Sequence, residues 1–346
     1  MFHGTVTPEI AAGLKVLRKR IEAANIPSSR LDETLNIATW NIREFGKKRR
    51  SQAAIHYIAE ILGQFDVISI VELRDDLTDL GRVLPILGPY WRVVYSDALR
   101  DDGGNRERIA FLYDNRAATF TGFAAAANPP RTKNGSGLYL PAFTWWRQPY
   151  MASFAAGNFD FLMLAAHIQW GTSDGRVKEL ASLAEWIELK RAERTGEDKD
   201  LMVLGDFNLE TAAQVKALTS RGLALPTALK AQEFGTNLAR NKRYDQILHY
   251  AVYPETFTNK GGVLDFFTGG IGTLFPGMEK DAFTYQLSDH LPLWMQIRTD
   301  IEGFQLDQIL RGARAKVARA KRAGAKRVGA KRVGTKRARR TVPPGA

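Results

Sequence analysis

Hydrophobic positions follow two periods along the chain. Between residues 8 and 24, Ile10, Leu14, Leu17 and Ile21 recur at steps of four, three and four with Lys and Arg opposite, which predicts a helix. Pro8 suits its first turn, where a missing N–H leaves nothing unpaired. Residues 35–42 (LNIATWNI) alternate toward a strand, and Ala53 to Leu62 returns to helical spacing. FDVISIVEL at 65–73 is an unbroken apolar run, as expected of a strand buried on both faces. Further strands are expected at Trp91 to Tyr95, Arg108 to Tyr113, Tyr150 to Ala155, Phe159 to Ile168, Leu201 to Leu204, Tyr244 to Tyr250 and Pro292 to Ile297, with helical patterns at 176–194 and 211–220. Strands and helices interleave, but some adjacent strands have no helix between them. That order predicts a layered α/β sandwich with mixed or antiparallel sheets rather than a doubly wound parallel sheet. Ala124 to Phe143, with three prolines and NGSG, and the Gly- and Phe-rich stretch 255–287 read as long loops.

The 346 residues, 45% of them hydrophobic, suffice for a full core without cross-links. With no cysteine, disulfides and thiolate metal ligands are excluded. The N-terminal MFHGTVTPEIAAGLKVLRKR carries no apolar signal-peptide core, and no stretch approaches the ~18 apolar residues of a membrane span. A soluble, cytoplasmic monomer is the expectation. The net charge of +12 is concentrated at one end: fourteen Lys or Arg follow Asp307 with no acid among them, leaving 35 basic against 37 acidic residues before that point. The chain thus divides into a helical extension (1–30), a near-neutral body (31–300) and a basic tail (301–346). The tail repeats KRAGA, KRVGA, KRVGT and KRARR, whose low apolar content and self-repulsion predict disorder.

Chemistry enters through short motifs at strand ends. LMVLGDFNLE (201–210) delivers Asp206 and Asn208 from a buried run, with Gly205 allowing close backbone approach. Residues i and i+2 of an extended segment face one way, so these two offer either hard oxygen ligands for Mg²⁺ or Mn²⁺, or a base beside an amide donor. A simple turn is the competing reading, since Gly, Asp and Asn are turn residues. QLSDHLPLW (286–294) sets Asp289 beside His290, a base or transition-state group for phosphate, or a structural histidine. Glu72 closes the run FDVISIVEL, where a carboxylate is costly unless paired or metal-bound, or else lies past the strand at the surface. Asn41 in TWNIREFG and Asp245 in YDQILHY stand at strand ends, and Glu107 (NRERIAFLY) and His167 (AAHIQWG) form a further candidate carboxylate–imidazole pair.

The succession TWN, VEL, RERIAFLYD, AAHIQWG, GDFN, YDQI and SDHLP resembles that of the endonuclease/exonuclease/phosphatase superfamily over most of residues 35–298, on the deoxyribonuclease-I-like side for its Glu107 and His167. The resemblance implies a four-layer sandwich, two sheets packed face to face with helices outside. It also implies roles. Glu72 is the principal metal ligand, with Asp289 and Asn41; Asp206 and Asn208 hold a second metal or position the attacking water and phosphate. His290, oriented by Asp245, is base or phosphate donor, and His167 with Glu107 protonates the leaving oxygen or stabilises the phosphorane. The reaction implied is Mg²⁺- or Mn²⁺-dependent phosphodiester hydrolysis. The motif VEL departs from the Gln–Glu of many relatives, placing Val71 where a polar neighbour stands.

The tail points to the substrate. Arg311, Lys321, Arg322, Lys326, Arg327, Lys331, Arg332, Lys336 and Arg337 suit counterion release from DNA or RNA, making a nuclease, nucleoid-associated if the tail binds DNA, the favoured reading. A phosphoinositide or sphingomyelin phosphodiesterase or phosphatase, and a nucleoid-binding protein with a vestigial catalytic body, are the competing readings. Deleting residues 311–346 is expected to weaken nucleic-acid binding and flatten the slope of log affinity against log salt in a filter-binding titration, while turnover of a small phosphodiester stays nearly constant. An unchanged salt slope refutes the role.

Overall fold

The computed structural model describes residues 1–98, 105–193, 200–231, 233–250, 253–314 and 316–317. They fall into two compact units, Met1–Asp300 and the segment from Ile301 onward. In the second, residues 302–314 are helical and Arg311 is exposed. The tail candidates Lys321 to Arg337, and the disorder expected of them, lie outside the described residues.

Local chemistry sets the first elements. Thr7 caps α1 (Pro8–Ala23) by accepting from Ile10 N, with Pro8 in the first turn as the sequence predicts. β1 (Thr34–Phe45) is followed by α2 (Gln52–Leu62), capped by Ser51 and apolar on nearly every side because it lies sandwiched in the core. β2 (Val67–Leu73) is the buried run, α3 (Thr78–Leu87) a helix absent from the sequence reading, and β3 (Trp91–Tyr95) and β4 (Arg108–Asp114) close the first half. β5 (Thr119–Ala126) then leads into a small hairpin of β6 (Arg131–Lys133) and β7 (Tyr139–Pro141), so Ala124 to Phe143 is not the structureless loop expected. Its exposed strands, RTK and YLP, are three residues each and carry no hydrophobic alternation to betray them.

β8 (Tyr150–Ala156), β9 (Phe159–His167), α4 (Ser173–Ala192), β10 (Leu201–Asp206) and α5 (Ala212–Thr219) follow, α5 opening on a capping box of Thr211 and Gln214. β11 (Asp245–Tyr250), β12 (Phe257–Val263), α6 (Lys280–Gln286) and β13 (Leu293–Arg298) complete the body. β12 and α6 both lie inside the expected loop 255–287; β12 is an edge strand whose FTNKGGV, with two glycines, shows no alternation.

Two mixed sheets result. One has the order β12-β13-β1-β2-β4-β3, the other β11-β10-β9-β8-β5. Each contains a single parallel pair, β1 with β2 and β9 with β10, and every other pairing is antiparallel. The crossovers between the parallel strands are α2 and α4, and helices flank the two sheets as the sandwich requires. The inner faces meet through aromatic side chains: Phe154 of β8 touches Phe111 and Tyr113 of β4 edge-on at 5.9 and 5.4 Å and stacks on Phe161 at 6.0 Å. Replacing this fully buried ring by Ala should cost about 3–5 kcal/mol, read as a lowered urea midpoint with an unchanged m-value. A loss below about 1 kcal/mol refutes the view that the sheets are held by this aromatic seam.

Candidate active site

The parallel pairs bring four strand ends to one rim. In the second sheet, Asp206 of β10 stands in register with His167 of β9 on one side and Asp245 of β11 on the other, so one level of three strands carries three ionisable groups. Gly205 makes this possible: its φ of +133° and a Cβ that would meet Ala166 O at 2.0 Å admit no side chain. In the first sheet, Asn41 pairs with Val71, and the register breaks just beyond it, where Glu44 and Glu72 adopt left-handed φ of 44° and 63°. That conformation is strained for a Glu and turns the Glu72 carboxylate back toward β1. Its Oε1 accepts from Asn41 Nδ2 at 2.8 Å and its Oε2 from Glu44 N at 2.8 Å.

The groups converge on one atom. Asp206 Oδ2 accepts from Asn41 Nδ2 at 3.0 Å and lies 3.7 Å from His167 Nε2 and 3.8 Å from His290 Nε2. Each imidazole is backed by a carboxylate: Glu107 Oε2 holds His167 Nδ1 at 2.7 Å, and Asp245 Oδ2 holds His290 Nδ1 at 2.7 Å. An ionised carboxylate can only accept, so Nδ1 carries the proton in both rings and Nε2 faces the centre. Burial works against the charged form of His290, but Asp245 and then Asp206 outweigh it and hold its pKa well above the ordinary 6.5. In the same way burial opposes charge on His167, Glu107 overrides it, and the pKa is raised. Burial would raise Glu107, but His167 and Arg147 keep it down at about 2.

Seven of the residues expected at the site thus form one connected set: Asn41, Glu72, Glu107, His167, Asp206, Asp245 and His290. Two sit differently from the sequence reasoning. The chain turns at Asn208, whose φ is +50°, so the extended i, i+2 geometry does not apply; Asn208 N caps Asp206 Oδ1 at 3.0 Å and its Nδ2 donates to Ile168 O at 2.8 Å. Asp289 stands beside Ser288, 3.5 Å from its hydroxyl, and bears electrostatically on Arg43 and His290.

Several supporting groups went unread in the sequence. Ser288 Oγ donates to Asn41 O at 2.7 Å and accepts from His290 N at 3.0 Å, stitching the SDH turn to β1. Its place two residues before His290 was a usable signal. Arg147 pairs with Glu107 at 2.9 Å, and Thr236 Oγ1 accepts from Asp245 N at 3.1 Å; both come from segments without a distinctive motif. At the outer rim, Tyr244 lies 5.7 Å from the His290 ring and meets Trp170, 57% exposed, edge-on at 5.5 Å.

A hard divalent cation fits this set. Asn41 Oδ1 is buried and has no hydrogen-bond partner, while the Glu72 and Asp206 carboxylates bracket the same amide and are themselves bound by neutral donors. Among the described residues, Asp206, Asp245 and His290 also lie close enough to share an ion, but Asp245 and His290 already hold each other through Oδ2 and Nδ1. Asn41 Oδ1, which has no hydrogen-bond partner, and the Glu72 and Asp206 carboxylates, whose hydrogen bonds come from neutral donors, are the better set.

The profile of the endonuclease/exonuclease/phosphatase family matches residues 38–290. The chain belongs to that family. As a member it is a hydrolase of phosphoester bonds. No curated protein is matched at the sequence level. Solved structures of the same fold include a functionally unknown conserved protein from Enterococcus faecalis V583, at 15% identity and TM-score 0.50, covering 76% of this chain and 99% of that one. An endonuclease/exonuclease/phosphatase from Bacteroides vulgatus is similar at 15% identity and TM-score 0.50, covering 76% and 98%. Truncated TDP2 of Caenorhabditis elegans is similar at 14% identity and TM-score 0.50, covering 77% and 97%. At these identities the likeness is one of fold.

The raised histidines have a consequence for stability. Their contribution is complete below the ordinary histidine pKa of 6.5 and is lost as pH climbs through the higher folded values. Glu107 acts at the other end: its contribution is complete above the ordinary 4.5 and is lost as pH falls toward about 2. In metal-free protein, the unfolding midpoint should therefore decline as pH rises above neutrality, and Asp245→Asn should remove the share due to His290. A decline of equal steepness in Asp245→Asn and wild type refutes the assignment.

Proposed function

We propose that this family member is a Mg²⁺- or Mn²⁺-dependent phosphodiesterase acting on nucleic acid. The supporting observation is the pair of carboxylate-backed imidazoles aimed from opposite sheets at one oxygen of Asp206. Asp206, fixed by Asn41 and by Asn208 N, orients the attacking water and takes its proton. His290 and His167, both biased toward the charged form, hold the phosphate and donate to oxygens on which negative charge accumulates; one of them protonates the leaving alkoxide. A cation held by Glu72, Asp206 and Asn41 Oδ1 supplies neutralisation of charge on a phosphoryl oxygen.

Nucleic acid is favoured by the rim and by charge. Trp170 offers an exposed ring beside Tyr244, with the Arg176 guanidinium 5.2 Å from its centre, and unstacked bases stack on such surfaces. The basic segment after Asp307 adds a sequence-independent attraction for polyphosphate.

The purified chain should nick supercoiled plasmid with Mg²⁺ and stop with chelator. His290→Ala should slow nicking by about 10²–10⁴, the usual worth of a positioned proton-transfer group. Release of phosphate or phosphocholine from vesicles with plasmid left intact overturns the substrate; undiminished nicking by His290→Ala overturns the mechanism.

A further inference from the structure

Beside the catalytic rim, on the other face of β11, lies a cavity of about 540 Å³ that the chemistry above does not use. That volume is within the ~300–1,000 Å³ range of small-molecule sites. Two of the segments lining it adjoin active-site residues in the chain. Leu209 to Ala212 continue directly from Asn208, and Arg243 and Gln246 flank Tyr244 and Asp245. Successive residues of a strand face opposite ways, so Asp245 turns to His290 while Gln246 turns to the cavity.

The lining has three kinds of surface. One wall is apolar, made by Leu209, Val215 and Leu225. At its base, Gln246 is 3% exposed; its Nε2 donates to Arg243 O at 2.7 Å, and its buried Oε1 has no partner. The orientation of this amide is fixed by chemistry, because an oxygen could not face the Arg243 carbonyl. The cavity therefore presents a buried acceptor that lacks a donor, a group costly to leave unpaired. The third surface is cationic. Arg243 is held by the main-chain oxygens of Leu229 and Lys230, and among the described residues no carboxylate pairs with it. Lys242 and Arg240 stand beside it, paired with Glu210 and Asp265. Three cations against one carboxylate line the space.

An apolar face, an N–H donor and an attached anion are together the chemistry of a nucleotide. We propose that this cavity binds the nucleotide unit next to the scissile phosphate. The base lies against Leu209, Val215 and Leu225 and donates to Gln246 Oε1, and its phosphate lies against Arg243 and Lys242. Tyr244, between the two sites in sequence and beside the His290 ring, marks the path of the strand from one to the other. This assignment rests on the phosphodiesterase reading for what the bound unit is part of, but not for what the cavity binds.

The test uses the full chain and two variants, Val215→Trp, which fills the cavity, and Gln246→Leu, which removes its acceptor. Binding of AMP is measured by calorimetry with chelator present, with ribose 5-phosphate and inorganic phosphate as comparison probes. AMP is expected to bind more tightly than either probe, and each variant to weaken it by about tenfold or more. Turnover is then measured with Mg²⁺ on a short single-stranded oligonucleotide and on bis(p-nitrophenyl) phosphate. The ratio of the two kcat/KM values should fall about tenfold in both variants, since only the oligonucleotide has a base to place. Equal binding of AMP and phosphate overturns the base site. Loss of AMP binding with an unchanged ratio overturns the link to the scissile phosphate and leaves a separate nucleotide site. If no diester is cleaved by any form, the phosphodiesterase reading fails, and the binding arm still decides the cavity's ligand.

Discussion

A carboxylate 2% exposed, with no arginine or lysine paired to it among the described residues, is an expensive thing to bury, and the rest of the site is arranged to give Asp206 partners. Hydrogen bonds from neutral donors do part of this, Asn41 Nδ2 on one oxygen and Asn208 N on the other. Two imidazoles at 3.7 and 3.8 Å do more, because the carboxylates behind them bias both toward the cation. Negative charge is layered: Glu107 and Asp245 outside, His167 and His290 between, Asp206 within. Removing an outer acid is felt at the centre through the ring it holds. Glu72 takes part on one side only: Asn41 Nδ2 and the main-chain N–H of Glu44 donate to it, and His167 Nε2 lies 3.9 Å from its Oε1. The surplus negative charge on Glu72 and Asp206 is what suits this corner to a cation.

Much of this could be read from the sequence because strand ends carry strong local signatures. The runs FDVISIV and LMVL are apolar enough to be buried strands whatever surrounds them, so the polar residue that closes each, Glu72 and Asp206, had to emerge at a sheet rim. Register then did the rest: once β9 and β10 pair in parallel, His167 and Asp206 fall at one level. The edge strands and short helices were illegible for the converse reason. β12, half exposed and with two glycines, and the exposed three-residue strands of the β6–β7 hairpin are defined by the partner they pair with rather than by their own pattern. α3 hides behind an internal Pro85, which a sequence reading takes as a break. Asn208 misled for a subtler reason. Spacing alone suggests an extended chain, and only the left-handed φ reveals that the chain turns there and the side-chain amide secures the β9 end through Ile168 O.

Part of the backbone strain gathers at the site. Of the eight left-handed non-glycine residues among the described ones, Glu44, Glu72 and Asn208 lie at the site, beside Gly205, whose Cβ would meet Ala166 O at 2.0 Å. Each sits at or close to the end of a strand. Such conformations cost about 1–3 kcal/mol each and persist only where packing over-determines them. The fully buried segments leading into them, β1, β2 and β10, supply that packing. The aromatic seam around Phe154 is therefore coupled to the chemistry even though it touches none of the polar groups: it fixes the separation of two sheets whose ends each contribute half of the site. Asn41 and Glu72 come from one sheet, His167, Asp206 and Asp245 from the other, and His290 enters from the turn before β13. A change in sheet spacing of even half an ångström would lengthen every contact that crosses to Asp206 Oδ2 while leaving each sheet's own hydrogen bonds intact. Fold stability and site geometry are for that reason one property of this protein.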